Sequence, residues 1–258
     1  MTEEKRSEGN NKYLIHAEKV SKHFCNGKVK ALEDIDFYVK PNEIVGLLGD
    51  NGAGKSTLVK ILNGFHTCEE GQLYFEGEKV NFNSPKDARD AGIETAYQNL
   101  ALVNLMSISR NFFLGREMTK KILGLPILDK RLMDQIASKS LGEVGLENIR
   151  AMHESVNFLS GGERQAIAIS RSTYFGARLL ILDEPTAALS VKETEWVLRL
   201  VHEAKEKGLA VILISHNAYE AFEVAERFVV LQYGKNYADV ERKDTNPKEL
   251  IEIIAGRR

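Results

Sequence analysis

Nine residues, Gly49-Asp50-Asn51-Gly52-Ala53-Gly54-Lys55-Ser56-Thr57, limit what this chain can be more than any other segment, because they fit the pattern G-x-x-x-x-G-K-[ST]. The pattern works only between a strand and a helix, and that is where it stands. Glu43-Ile44-Val45-Gly46-Leu47-Leu48 before it reads as a buried strand, and Ser56-Thr57-Leu58-Val59-Lys60-Ile61-Leu62 reads as a helix. Glycines let backbone N–H groups approach phosphates at a helix start whose dipole favours anions. Lys55 can reach the β- and γ-phosphates, and the Ser56 hydroxyl can take one Mg²⁺ position. The plain alternative is a glycine turn. Background residue frequencies produce such a match in about 1% of chains of this length, and the flanking strand and helix lower that further. The whole stretch from Gly49 to Thr57 is therefore read as binding a nucleoside triphosphate.

The formal net charge is −2 over 258 residues, which provides no overall field to gather nucleic acid or an anionic membrane, although local basic patches stay open. No stretch approaches the roughly 20 apolar residues of a spanning helix. Residues 1–11 are polar and mixed in charge, without an apolar h-region, and are expected to be a disordered tail rather than a signal peptide. Cys25 and Cys68 have no metal spacing and are too few for a disulfide framework, which points to a reducing compartment.

Residues 12–40 alternate loosely and predict antiparallel strands covered on one face. Gln72 to Val80 predicts a hairpin turning near Gly77, and Ile93 to Tyr97 a short strand. Residues 100–158 change character and read as a helical insertion. Ser107 would cap a helix through Phe112 and Leu114, and Asp129 another with Leu132, Met133, Ile136, Ala137 and Leu141 on one face. Leu179–Leu182 and Val211–Ile214 are short apolar runs separated by a charged helix, Val191 to Lys207, which is a βαβ pattern in a parallel sheet. Phe228–Leu231 is a further strand, and Glu249 to Ala255 closes the chain as a helix.

Asp183 and Glu184 follow a buried strand, at the sheet edge where ligands of open α/β sheets gather. Asp183 can hold Mg²⁺ through water, and Glu184 can accept a proton from an attacking water. Alone, the two would read equally well as surface acids in a turn ended by Pro185. Leu159-Ser160-Gly161-Gly162-Glu163 reads as a capping box opening a helix. That leaves unexplained two glycines in the first turn, each of which costs about 1 kcal/mol in a helix interior. They make sense if something approaches the backbone closely, so Ser160, Gly161 and Gly162 are candidates for contacting a phosphate. His216 follows its strand as Asp183 does and is placed near the γ-phosphate or the attacking water. Gln98 could reach Mg²⁺ or that water, and Phe24 could stack on an adenine.

In order, these segments resemble the nucleotide-binding subunit of an ATP-binding-cassette (ABC) transporter. Gly49–Thr57 corresponds to its Walker A motif, Leu159–Glu163 to its signature and Leu179–Glu184 to Walker B with the catalytic glutamate. Ala188-Leu189-Ser190 corresponds to the D-loop, Gln98 to the Q-loop, His216 to the H-loop and Phe24 to the adenine-stacking aromatic. Ser160 precedes Asp183 by 23 residues and Asp183 precedes His216 by 33, as in the family, and the likeness spans about residues 12–240. Gly49-Asp50-Asn51-Gly52, Tyr97-Gln98, Phe113-Leu114-Gly115-Arg116-Glu117 and Pro185-Thr186-Ala187-Ala188-Leu189-Ser190 resemble ATPases of monosaccharide importers. Those subunits usually carry two cassettes and this chain has one, like the single-cassette subunits of fructose-type importers. It departs from the pattern in Glu163, where the signature has Gln, and in Ser190, where the D-loop has Asp.

The resemblance implies an α/β P-loop NTPase with a RecA-like parallel sheet core, an antiparallel β subdomain and an inserted helical subdomain. Residues 12–258 would form the ABC ATPase domain: 12–99 and 159–240 as core and β lobe, 100–158 as helical subdomain, 241–258 as a C-terminal helical segment. It further implies ATP and Mg²⁺, with Ser56, Gln98 and Asp183 at the metal and Glu184, His216, Gln98 and Lys55 at the chemistry. The partners would be a second copy packed head to tail, so that Ser160 meets the other copy's nucleotide, a membrane-spanning permease docked near Gln98, and indirectly an extracytoplasmic sugar-binding protein. The chain would sit peripherally on the cytoplasmic face of the membrane, and no nucleic acid is expected. Three other readings stay open from residues alone: an importer ATPase for another cargo, a soluble ABC ATPase acting on nucleic acid or ribosomes, and a non-hydrolysing regulatory module.

Overall fold

In a computed structural model that describes residues 12–97, 102–146 and 152–257, the chain begins with β1 (Ile15–Phe24), β2 (Val29–Val39), β3 (Ile44–Leu48) and α1 (Lys55–Leu62). It continues through β4 (Glu70–Phe75), β5 (Glu78–Val80), α2 (Pro85–Asp90), β6 (Ile93–Ala96) and α3 (Ile108–Phe112). Next come β7 (Thr119–Ile122), β8 (Leu125–Leu128), α4 (Lys130–Gly142), α5 (Gly161–Tyr174) and β9 (Leu179–Asp183). The remainder is α6 (Val191–Glu206), β10 (Ala210–Ile214), α7 (Ala218–Val224), β11 (Arg227–Gln232), β12 (Lys235–Glu241) and α8 (Pro247–Ile254).

The apolar runs β3, β9, β10 and β11 lie in a six-stranded sheet ordered β12-β11-β3-β10-β9-β6. Every pairing in it is parallel except that of the edge strand β12. These strands carry almost no polar side chains because both faces of the sheet are covered. Alternate residues divide between the faces. Leu180, Leu182, Val211, Leu213, Phe228 and Val230 join the core built with α5, α6, α7, α8 and the inserted helices. Val45, Leu47, Ile181, Ile212 and Val229 join the core under α1 and a second sheet. Burying each large aliphatic side chain this way contributes roughly 1.5–3 kcal/mol.

The second sheet is antiparallel, ordered β2-β1-β4-β5. In β2, Leu32, Ile35, Phe37 and Val39 are buried while Asp34 and Asp36 face solvent, the alternation of a sheet covered on one side. Arg227 of β11 fastens the two sheets together. Its buried guanidinium pairs with Glu43 (3.0 Å) and Asp239 (2.9 Å) and lies 3.9 Å from the Tyr38 ring centroid.

In the insertion, Ser107 accepts from the Arg110 amide at the start of α3, and Asp129 from that of Leu132 at the start of α4, as the sequence predicts. Met133, Ala137 and Leu141 are the buried face of α4. Helix α3 stops at Phe112, short of the expected Leu114, with Phe113 as its C-cap. Phe112 and Phe113 turn instead onto Tyr174 and Phe175 at the end of α5, ring centroids 5.5 and 5.7 Å apart for Phe112–Tyr174 and Phe113–Phe175.

The stretch between α3 and α4, expected to be helical, also holds an antiparallel hairpin of β7 and β8. It turns on Leu123 (φ 51°) and Gly124 (φ 82°). Thr-Lys-Lys-Ile and Leu-Pro-Ile-Leu lack the period-two pattern by which a strand is recognised. Among the described residues, no helix is long and apolar enough to cross a membrane. The expected N-terminal tail, 1–11, lies outside the described residues.

Candidate nucleotide site

Because β3, β10 and β9 are parallel neighbours, their C-terminal ends share one edge. Ile214 pairs with Leu47 on one side and with Asp183 on the other. The loop after β3 therefore meets the acids after β9, with the end of β10 between them.

The phosphate loop is held by its own backbone. Gly49 has φ 142°, and a Cβ there would lie 2.3 Å from the Leu231 carbonyl oxygen, so no other residue fits. Gly54 stands at the N-cap of α1 in a left-handed conformation and offers no side-chain cap. By contrast, a Ser, Asp or Asn side chain caps every other described α-helix. The first turn of α1 thus keeps its N–H groups for an external acceptor. Lys55 Nζ donates to the carbonyls of Gly49 (2.6 Å) and Asp50 (3.0 Å), which stretches the ammonium across the loop. Burial pushes Lys55 below its ordinary pKa, while Glu184, Asp183 and Asp50 pull it back up.

A cleft of about 340 Å³ is lined by Asn51 through Thr57, by Asp183 and Glu184, and by Val29–Ala31 of β2. Burial raises the pKa of Asp183, the Glu184 charge adds to this, and Lys55 and Lys60 oppose it. A cation in the cleft would act as the lysines do and favour the ionised carboxylate. Ser56 and Asp183 face the same space, a hydroxyl and a carboxylate that suit Mg²⁺ sharing oxygens with phosphate and water.

Glu184 has φ 52°, uncommon for a residue with a side chain, and is pinned there by its own N–H donating to the Ile214 carbonyl (3.0 Å). Its Oε2 lies 2.6 Å from His216 Nδ1, which fixes the carboxylate at the cleft wall. Behind the pair, Glu220 accepts from the Thr186 hydroxyl and from Asn217 Nδ2 (2.8 Å), tying the loop after Glu184 to the loop carrying His216. Sequence reasoning missed Thr186, Asn217 and Glu220. Asn217 just before a helix was a readable N-cap signal, but Glu220 shows its role only through the fold.

Phe24, Ser160, Gly161 and Gly162 stand apart from this cleft. Phe24, at the end of β1, pairs with cleft-lining Val29 but packs edge-on to His66 (5.4 Å), with Lys22 Nζ 5.5 Å from its ring centroid. Gln98 lies outside the described residues. Its neighbour Tyr97 is anchored by Asn63 Nδ2 donating to its hydroxyl (2.7 Å), and Asn63 is the C-cap of α1. Ser160, Gly161 and Gly162 do not line the cleft.

The expected capping box is present on α5: Glu163 N donates to Ser160 Oγ (3.3 Å) and Ser160 N to Glu163 Oε2 (2.7 Å). The two glycines have a local reason to be there. A Cβ on Gly161 would lie 2.4 Å from Leu189 Cδ2, and one on Gly162 3.3 Å from Glu193 and Trp196. The close approach inferred from these glycines is made, within the chain, by the Ala188–Ser190 loop and α6. Glu193 joins the two loops. It accepts from Ser190 N (3.0 Å) and Ser190 Oγ (2.8 Å), and from the Gly162 amide at 3.5 Å. The Ser190 backbone and hydroxyl, then the Ser160 hydroxyl, hold its carboxyl down to about 2 against an ordinary 4.5, with burial opposing them.

The chain is similar to proteins already known. The sequence model of the ABC transporter family matches residues 32–187. The xylose/arabinose import ATP-binding protein XylG of Sulfolobus acidocaldarius is 46% identical over 241 residues, covering 93% of this chain and 93% of that protein. The fructose import ATP-binding protein FrcA of Rhizobium meliloti is 43% identical over 233 residues, covering 89% and 90%. A dimeric ATP-binding cassette solved in a post-hydrolysis state with ADP and Pi superposes with a TM-score of 0.75 at 24% identity, over 90% of this chain and 100% of that one, and shows the shared fold.

Proposed function

The chain belongs to the ABC transporter family and is an ATPase, and we propose that it is the energising subunit of an importer that takes up a sugar, of monosaccharide class, through a membrane permease. The observation that carries the catalytic half is the single cleft shared by Lys55, Ser56, Asp183 and Glu184, with His216 bonded to Glu184. The sugar half rests on two relatives of this chain's own length, named for xylose/arabinose and fructose import.

In this reading the amides of Gly49–Thr57 and Lys55 hold the β- and γ-phosphates of ATP. Ser56, Asp183 and Gln98 would hold Mg²⁺, which offsets phosphate charge when bound. Glu184 takes the proton of the attacking water, and His216 keeps its carboxylate aimed. Phe24, whose strand partner Val29 lines the cleft, would stack on the adenine.

Ser160, Gly161 and Gly162 complete no site of their own, so a second copy packed head to tail brings them to its partner's nucleotide. Residues 12–99 and 159–240 act as core and β lobe, and 241–258 as a closing segment. The arm 100–158 borders the permease site. A groove of about 380 Å³, lined by Arg89, Thr95, Ala96, Tyr97, Leu102 and Arg171, suits a cytoplasmic helix of the permease. Arg89 and Arg171 line it, and among the described residues their buried Nε atoms have no hydrogen-bond partner. The chain then works at the cytoplasmic face of the membrane, with an extracytoplasmic sugar-binding protein as an indirect partner.

The test is co-purification of the tagged chain from its native membrane, with partners identified by mass spectrometry. A polytopic permease with a sugar-binding protein is the expected result. Ribosomes or nucleic acid without any membrane protein would overturn the transport reading.

A further inference from the structure

The β7–β8 hairpin is built in a way that neither its turn nor the core accounts for. It buries almost nothing: every residue of β7 and β8 is exposed except the half-buried Leu128. Yet it carries Ile122, Leu123, Leu125 and Ile127, exposed by 45%, 99%, 66% and 44%. Ile122 pairs with Leu125, and Lys120 with Ile127, which puts three of these aliphatic groups on one face of the ribbon and Leu123 at its tip.

Leu123 is the informative residue. A two-residue turn with φ > 0 at both positions favours Asn-Gly or Asp-Gly, since a branched side chain is strained in the left-handed region. Here the first turn position is a leucine at φ 51° that touches nothing. Neither the stability of the turn nor that of the core gains from it.

The surrounding charge identifies what would cover it. Between residues 119 and 131 stand Lys120, Lys121, Lys130 and Arg131 against Asp129 as the one acid, on a chain whose net charge is −2. Asp129 is engaged by Lys120 at 3.4 Å, and Lys121, Lys130 and Arg131 form no ion pair among the described residues. An apolar tip backed by free cations on long, flexible stems complements a fluid anionic lipid surface, where apolar groups enter below the headgroups and ammoniums meet phosphates.

The hairpin is also placed for it. Arg116, just before β7, pairs with Glu94 at 3.0 Å and reaches the Arg89 carbonyl, both residues of the groove assigned above to the permease. We propose that the hairpin is an interfacial anchor, with Ile122, Leu123, Leu125 and Ile127 seated in an anionic phospholipid surface and Lys121, Lys130 and Arg131 at its phosphates. The side from which it approaches the bilayer rests on the importer reading; the lipid contact itself does not.

The test is co-sedimentation of the purified full chain, without permease, with vesicles of phosphatidylcholine alone or mixed equally with phosphatidylglycerol. The chain should sediment with the mixed vesicles, and raising the salt should release it. Leu123→Asn should lower that partition by about tenfold. It should also leave ATP turnover in solution unchanged and the melting temperature equal or higher, because asparagine suits the turn. Lys121→Gln and Lys130→Gln should each lower the partition about fivefold. A wild-type chain that stays in solution with the mixed vesicles, or a Leu123→Asn chain that sediments equally, would sink the proposal. So would a Leu123→Asn chain that loses only the permease, since the tip would then dock protein. Vesicle binding without any permease recovered from the native membrane would keep the anchor and remove the importer reading.

Discussion

Two helices of this protein open on glycine-rich turns, and they treat their first N–H groups in opposite ways. At α1 no side chain caps the turn, and the Lys55 ammonium is held across the loop by backbone carbonyls. At α5 the donors are already engaged: Ser160 and Glu163 close a capping box, and the Glu193 carboxylate reaches the Gly162 amide. The first terminus is prepared for an anion from outside. The second carries an anion of its own, so a phosphate arriving there replaces an acceptor instead of satisfying a bare donor. Exchanging one acceptor for another returns little net free energy. A contact between copies made through α5 would then be readily reversible, which a cyclic ATPase needs.

The largest effect should come from the variant that freezes the two termini together. Glu184→Gln should cut phosphate release by about 10³-fold, the scale of a general base, while ATP still binds and an ATP-dependent dimer accumulates in gel filtration. Undiminished turnover would remove Glu184 from its role. Lys55→Ala strikes the α1 terminus alone. It should lower turnover by about 10²-fold and weaken nucleotide binding in fluorescence titration. Unchanged affinity would mean that the amides suffice and the contrast with α5 is overdrawn.

Ser160→Ala strikes the other terminus. It should cost about 1 kcal/mol in denaturant unfolding. Nucleotide should bind the monomer normally, and the dimer of the Glu184→Gln background should weaken. A dimer of wild-type strength would leave Ser160 as a cap only.

The smallest effect is the pH dependence of Glu193. Its carboxyl is depressed to about 2 from 4.5, so the ionised form adds stability that is complete above 4.5 and lost as pH falls toward 2. The melting difference between the wild type and Glu193→Gln should therefore be flat near neutrality and shrink below about pH 4.5. A difference independent of pH would show that packing on Gly162, not charge, is what Glu193 supplies.

Much of this architecture can be read from the chain alone, because its signals are local. Unbroken apolar runs mark β9 and β10, Ser107, Asp129 and Ser160 announce their helices, and Asp183 and Glu184 stand where a strand must end. What escaped reading depends on partners distant in sequence. The glycines of α5 looked like an opening for phosphate, whereas Leu189, Glu193 and Trp196 come up against them from the next helical unit. The link between Glu220 and Thr186 crosses from α7 to the loop after β9 and leaves no periodic trace. The hairpin escaped for a different reason: its turn is Leu-Gly where a hairpin turn favours Asn-Gly, so the usual sign is missing.

The strand order has a consequence during synthesis. β3, which launches the phosphate loop, is flanked by β10 and β11, strands that begin at Ala210 and Arg227. On the ribosome, the antiparallel lobe from β1, β2, β4 and β5 can assemble from the first eighty or so residues, since its partners are near neighbours. The nucleotide loop is translated early as well, but its strand has no sheet to join until four-fifths of the chain has emerged. Nascent chains paused before β10 carry a bare apolar strand and no ATP site, which makes that interval the one in which a chaperone is most needed.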